Sequence, residues 1–238
     1  MSHFTVLVID REGYNDIDEA LAPYGEQSPE FFEWTDKTDE LLAEYAMESI
    51  ETLEKYETLE KYAKEYHGYK KRDGERYGYE SNPNAKWDWY QVGGRWKGSI
   101  PMKSGGFVDS AKKSDIDIEA LRVNVEAYRD SIRLWELIVE EQEVLSPDDR
   151  IIVEGNWYDK TYFLTQHKDK ESYAMACASF ITYSVLLDGV WNSKGRMGWW
   201  GMSNENEEDA TSWDNNFFKT FIEDLPEDAY ITLVDAHI

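Results

Sequence analysis

Lys86-Trp87-Asp88-Trp89-Tyr90-Gln91-Val92-Gly93-Gly94-Arg95-Trp96 is the stretch on which the fold class turns. Six strand-forming residues end on a two-glycine turn signal, so the segment reads as half of a β-hairpin. On such a strand Trp87, Trp89 and Gln91 point to one face and Asp88, Tyr90 and Val92 to the other, with Arg95 and Trp96 returning on the partner strand. Asp73-Gly74, Gly155-Asn156 and Asp188-Gly189 give the same signal, each between β-prone residues. Residues 3–9 read as a buried strand, and a last strand, residues 231–238, follows Pro226. Hairpins outnumber βαβ patterns, which predicts an α+β fold with an antiparallel, ferredoxin-like sheet in which the first and last strands pair. The whole chain, 1–238, reads as a single α+β domain.

Two long amphipathic helices are expected beside that sheet. One covers about 36–66, with Asp36, Asp39 and Glu40 at its positive end. It contains the tandem copies Thr52-Leu-Glu-Lys-Tyr-Glu57 and Thr58-Leu-Glu-Lys-Tyr-Ala63. Six residues at about 100° each place the second copy about 240° round the axis, so the two halves of the helix must meet different neighbours. The other covers about 115–144, where Ile118, Leu121, Val125, Tyr128, Ile132, Trp135 and Val139 form a heptad seam. That seam packs against the first helix or makes a homodimer. Shorter helices are expected at 169–178 and 207–222, the latter with Ala210, Trp213, Phe217 and Phe221 along one face.

The 238 residues carry 49 acids against 25 bases, a formal net charge of −24, which excludes a protein that wraps bulk nucleic acid. The 41% hydrophobic and 15% aromatic content is enough for a core, which argues against wholesale disorder. Cys177 is the one cysteine, leaving no internal disulfide and pointing to a reducing, cytoplasmic setting. No segment is apolar for long enough to be a signal sequence or a membrane span. The charge is unevenly spread. Residues 1–68 hold 18 acids and 5 bases, 69–113 hold 5 acids and 10 bases, and 114–238 hold 26 acids and 10 bases. The 69–113 hairpin region is thus a basic island rich in Tyr and Trp, the pattern that holds phosphates and stacks bases.

Three groups of residues are candidates for chemistry. Lys86, Trp87, Trp89, Gln91, Arg95 and Trp96 would surround a planar or anionic ligand, or else form core. Arg196, Trp199 and Trp200, in Gly195-Arg-Met-Gly-Trp-Trp-Gly-Met202, repeat the mixture of Arg, Gly and Trp and would either line a ligand or plug the sheet. His3, Asp235 and His237 come together if the terminal strands pair, and would then act as an acid/base group or bind a metal. No nucleotide-loop, zincin or nucleophile-elbow motif is present, and no cofactor is indicated.

Met1-Ser-His-Phe-Thr-Val-Leu-Val-Ile9, Leu21-Ala-Pro-Tyr24, Lys86–Trp96, Met197-Gly-Trp-Trp-Gly201 and Leu233-Val-Asp-Ala-His-Ile238 resemble the motifs of a family of bacteriophage and mobile-element proteins. Members often carry Cys where this chain has Ala236, which weakens a metal-ligand reading of the terminus. The resemblance implies a setting alone: an accessory protein in host cytoplasm, engaged in counter-defence or host takeover. The expected function is therefore binding, blocking or sequestering a host protein or a nucleotide-like anionic ligand. An enzyme acting on a nucleotide-like molecule and an assembly protein using the 115–144 helix are the alternatives.

Overall fold

The computed structural model describes residues 2–13, 16–198 and 202–238. Its strands are β1 (His3–Asp10), β2 (Glu33–Asp36), β3 (Lys70–Arg72), β4 (Arg76–Ser81), β5 (Trp89–Val92), β6 (Ile100–Pro101), β7 (Phe107–Val108), β8 (Ser110–Lys112), β9 (Ser184–Leu187), β10 (Val190–Ser193) and β11 (Tyr230–His237). Its helices are α1 (Ile17–Leu21), α2 (Thr38–Met47), α3 (Ile50–Tyr56), α4 (Leu59–Lys61), α5 (Ile118–Arg122), α6 (Val125–Ile138), α7 (Pro147–Glu154), α8 (Lys160–Gln166), α9 (Lys170–Ala178) and α10 (Glu207–Phe221). The fold is α+β. Two compact units are present: unit 1 holds the described residues up to 13 with Tyr90–Ala236, and unit 2 holds Asp16–Trp89 with His237–Ile238.

Unit 1 is built on a sheet of order β10-β9-β1-β11-β5, with β8 also on β11. His3, at the start of β1, touches Asp235, near the end of β11, so these neighbours run in opposite directions as expected. β1 and β9 are parallel, Val6 opposite Ser184 and Ile9 opposite Leu187. The sheet is therefore mixed, in place of the wholly antiparallel ferredoxin-like pairing. The helices between β1 and β9 supply the long crossover that a parallel neighbour requires.

The Asp188-Gly189 hairpin forms as read. Leu187 faces Val190, and both turn residues have positive φ, 52° and 72°, the geometry of a two-residue turn matched to strand twist. On one face of the sheet, Leu7, Ile9, Val185, Ile231 and Leu233 pack under Phe217, Phe218, Phe221 and Ile222 from α10 and its end. Each of these side chains contributes roughly 1.5–3 kcal/mol by leaving water.

The expected helix at 115–144 is two helices. Val123 is extended and bridges to Ser179, and the Asn124 side chain caps α6 by accepting the Ala127 N–H at 3.0 Å. The heptad seam is broken there: Leu121 and Trp135 are buried as expected, but Val125 is exposed, and α6 also buries Ser131 and Leu137, which lie off the seam. α6 packs on α9, where Trp135 meets Tyr173. Gly155-Asn156 makes no hairpin and closes α7, Gly155 N–H donating to the Ile151 carbonyl. Gly93-Gly94 makes no hairpin either. β5 lies beside β11, and the chain then coils into a 3₁₀ turn over Gly94–Trp96, so Arg95 and Trp96 are not on a return strand.

In unit 2 the expected 36–66 helix is three short helices ending in a π turn at Tyr62–Tyr66. Ser49 and Thr58 are the cause. Each accepts the backbone N–H three residues on and starts a new helix, and Glu57 between α3 and α4 has φ 57°. The tandem repeat therefore places Thr52 inside one helix and Thr58 at the cap of the next. β2, β4 and β3 form a sheet, with the β3–β4 hairpin turning at Asp73-Gly74 as expected. Leu41, Tyr56, Tyr62, Ala63 and Tyr77 form the core.

Candidate functional site

The Gly93-Gly94-Arg95 turn explains its own sequence. Both glycines have positive φ, 71° and 49°, and a Cβ at either would collide with a carboxylate, Asp109 for Gly93 and Asp235 for Gly94. The close approach lets Arg95 N–H donate to Asp235 Oδ2 at 3.0 Å. The other oxygen, Oδ1, lies 2.7 Å from His3 Nδ1, and Asp235 is buried. With one carboxylate oxygen accepting from the Arg95 N–H, the contact of the other with His3 Nδ1 fixes the orientation of the imidazole ring.

His237 belongs to a second pair, in unit 2. Its Nδ1 is 2.6 Å from Asp88 Oδ1, the Asp88 N–H donates to the His237 carbonyl at 2.9 Å, and the Trp89 ring stacks on the imidazole at 5.3 Å. Asp235 and His237 are thus each committed to a different partner. Among the described residues no three His, Cys, Asp or Glu side chains gather to hold a metal. Of the expected trio, His3 contacts Asp235 within unit 1, and His237 contacts Asp88 within unit 2.

The expected Trp and Arg ligand platform is dispersed. Trp87 donates its indole N–H to the Leu21 carbonyl at 3.2 Å and packs closely on Gly25, a structural role in unit 2. The backbone N–H of Lys86, in the same unit, donates to the Tyr24 carbonyl. Gln91 and Arg95 have exposed side chains in unit 1, as does Arg196, whose backbone pairs with Asn204. Trp199 and Trp200 lie outside the described residues. Trp96 lines a cavity of about 450 Å³ that Thr5, Leu233 and Cys177 also border.

Much of the basic island is neutralised in place. Lys70 and Arg72 both bond Glu80, and together they hold its carboxyl below its usual value. Lys71 reaches Glu60 and Glu75, and Arg76 faces Asp36. In unit 1, Lys103 and Lys113 are spent on backbone carbonyls. The run of positive charge in the sequence is therefore not an open phosphate-binding surface at the 70–76 hairpin.

A cleft of about 850 Å³ lies in unit 1 among residues that no local motif connects. Thr5 from β1, Arg122 from α5, Ser179, Thr182 and Tyr183 from the segment before β9, and Lys194 after β10 line it. Arg122 bonds Glu223 at 2.8 Å and lies over the Phe218 ring; Lys194 bonds both Asp214 oxygens at 3.0 Å. Tyr183 OH bonds Ser203, and burial pushes the phenol's ionisation up, so it stays neutral. The Trp213 indole donates to the Thr182 carbonyl. The lining carries several hydroxyls, two cations each held by an acid, and the aromatic residues Tyr183 and Phe218. One signal in the sequence pointed here: Thr5 interrupts an otherwise apolar strand. Among protein-family models, curated proteins and solved structures the chain has no match.

Proposed function

We propose that this protein binds and sequesters a small nucleotide-like molecule in the unit 1 cleft, in a cytoplasmic setting. The observation that carries the reading is the cleft itself: a volume in the range of small-ligand sites, two cations in its walls and hydroxyls between them. Arg122 and Lys194 would exchange Glu223 and Asp214 for phosphate oxygens, and the half-buried Tyr183 would supply aromatic contact to a base. The balanced charge favours one phosphate group over a polyanion. Thermal unfolding across mononucleotides, nucleosides and inorganic phosphate tests it. Expected is a rise in Tm with at least one mononucleotide, larger than with its nucleoside or with phosphate alone. No shift across the whole panel would overturn it.

The enzymatic reading keeps one observation in its favour. Buried Asp235 fixes His3 on the sheet face that also carries Thr5 and Leu233, two positions along their strands. Turnover of a bound nucleotide that persists unchanged in His3→Gln would remove it.

A further inference from the structure

Residues 140–166 of unit 1, which carry α7 and α8, present an unusual surface. Trp157 is 93% exposed, Leu145 78% and Ile151 68%, and Tyr158 and Leu164 are exposed as well. Large apolar side chains in water at this density on one short stretch are the usual mark of an interaction site.

The stretch is held in place. The Arg133 guanidinium forks onto Asp149 at 2.8 and 2.9 Å, and also reaches the Gln142 side chain and the Glu143 carbonyl. Asp149 in turn accepts the Leu145 N–H at 2.8 Å. Further on, the Asn156 side chain bonds both the N–H and the carbonyl of Tyr158, at 3.1 and 2.7 Å, bracketing Trp157. Tyr158 stacks on Tyr162 with centroids 3.8 Å apart. Trp157 and Leu145 are therefore projected by ordered backbone, which lowers the entropy lost when a partner covers them.

Charge identifies the partner. Residues 140–166 contain seven acids against two bases, and Lys160 is already paired with Glu141. A segment that combines net negative charge with exposed apolar anchors repels nucleic acid and anionic lipid and attracts a cationic surface. We propose that the α7–α8 surface docks a basic, amphipathic protein segment, with Trp157 as its central anchor.

The test uses the full-length chain and a fluorescently labelled amphipathic helical peptide of leucine and lysine, followed by anisotropy. Expected is binding that weakens with salt and falls about tenfold in Trp157→Ala and in Ile151→Ser, both with unchanged circular dichroism. The same peptide with glutamate for lysine should not bind. Undiminished binding in both variants, or equal binding of the glutamate peptide, overturns the proposal. So does a dimer in sedimentation that Trp157→Ala dissolves, which would make a second copy the occupant. Binding of zwitterionic vesicles through Trp157 would overturn it in favour of a lipid surface.

Discussion

The cores of the two units solve the same problem with different chemistry. Unit 1 buries Leu, Ile, Val and Phe on a sheet face, beside the buried carboxylate of Asp235, whose two oxygens are taken by His3 and the Arg95 N–H. Unit 2 buries tyrosines: Tyr62 is fully covered and Tyr56 and Tyr77 nearly so. A buried phenol must find an acceptor. Tyr62 OH finds two, Glu48 at 2.7 Å and Glu44 at 3.0 Å. Part of the acidity of the first 68 residues therefore completes hydrogen bonds to core tyrosines.

The largest effect should come from the apolar core. Phe217→Ala leaves a cavity under α10 and should cost about 3–5 kcal/mol in denaturant unfolding. Native-state hydrogen exchange should show the loss in β1, β9 and β11. Gly94→Ala is expected next, at roughly 1–3 kcal/mol, because alanine must adopt positive φ and its Cβ meets Asp235. A loss as small as that of a surface substitution would break the view that the Gly-Gly pair exists to reach this carboxylate.

Tyr62→Phe sharpens the contrast. It removes one donor and should cost about 1 kcal/mol. It should also change the pH profile. The Tyr62 hydroxyl bond holds the Glu48 carboxyl below its usual value, so this stability is present above the unfolded carboxylate pKa of about 4.3 and is lost as pH falls through the lower folded value. Urea titrations of the variant between neutral and acid pH should show a shallower acid loss. His167 should give the smallest effect. Burial lowers its pKa, so the unfolded chain takes up the proton first and stability declines as pH drops below about 6.5. His167→Gln should flatten that decline.

Fold elements governed by local chemistry were legible. The Asp188-Gly189 turn, the α10 stripe of Trp213, Phe217 and Phe221, and the two terminal strands all formed as read. Apolar spacing alone does not show the helix breaks, because it treats Ser49, Thr58 and Asn124 as interior residues, whereas each caps the N–H three positions on. The candidate site was less legible for two reasons. The Lys86–Trp96 motif looks like a ligand platform, yet its Asp88 and Gly94 serve to hold His237 and Asp235. The cleft draws Thr5, Arg122, Thr182 and Lys194 from four separate segments, which no local pattern links.

Ligand binding in that cleft is tested by calorimetric titration of a mononucleotide into the wild-type chain and Lys194→Met. One-site binding to the wild type is expected, with an affinity about tenfold weaker or worse in the variant, since a charge-assisted bond to phosphate is lost. Equal affinity in both proteins, or no heat of binding in either, would contradict it.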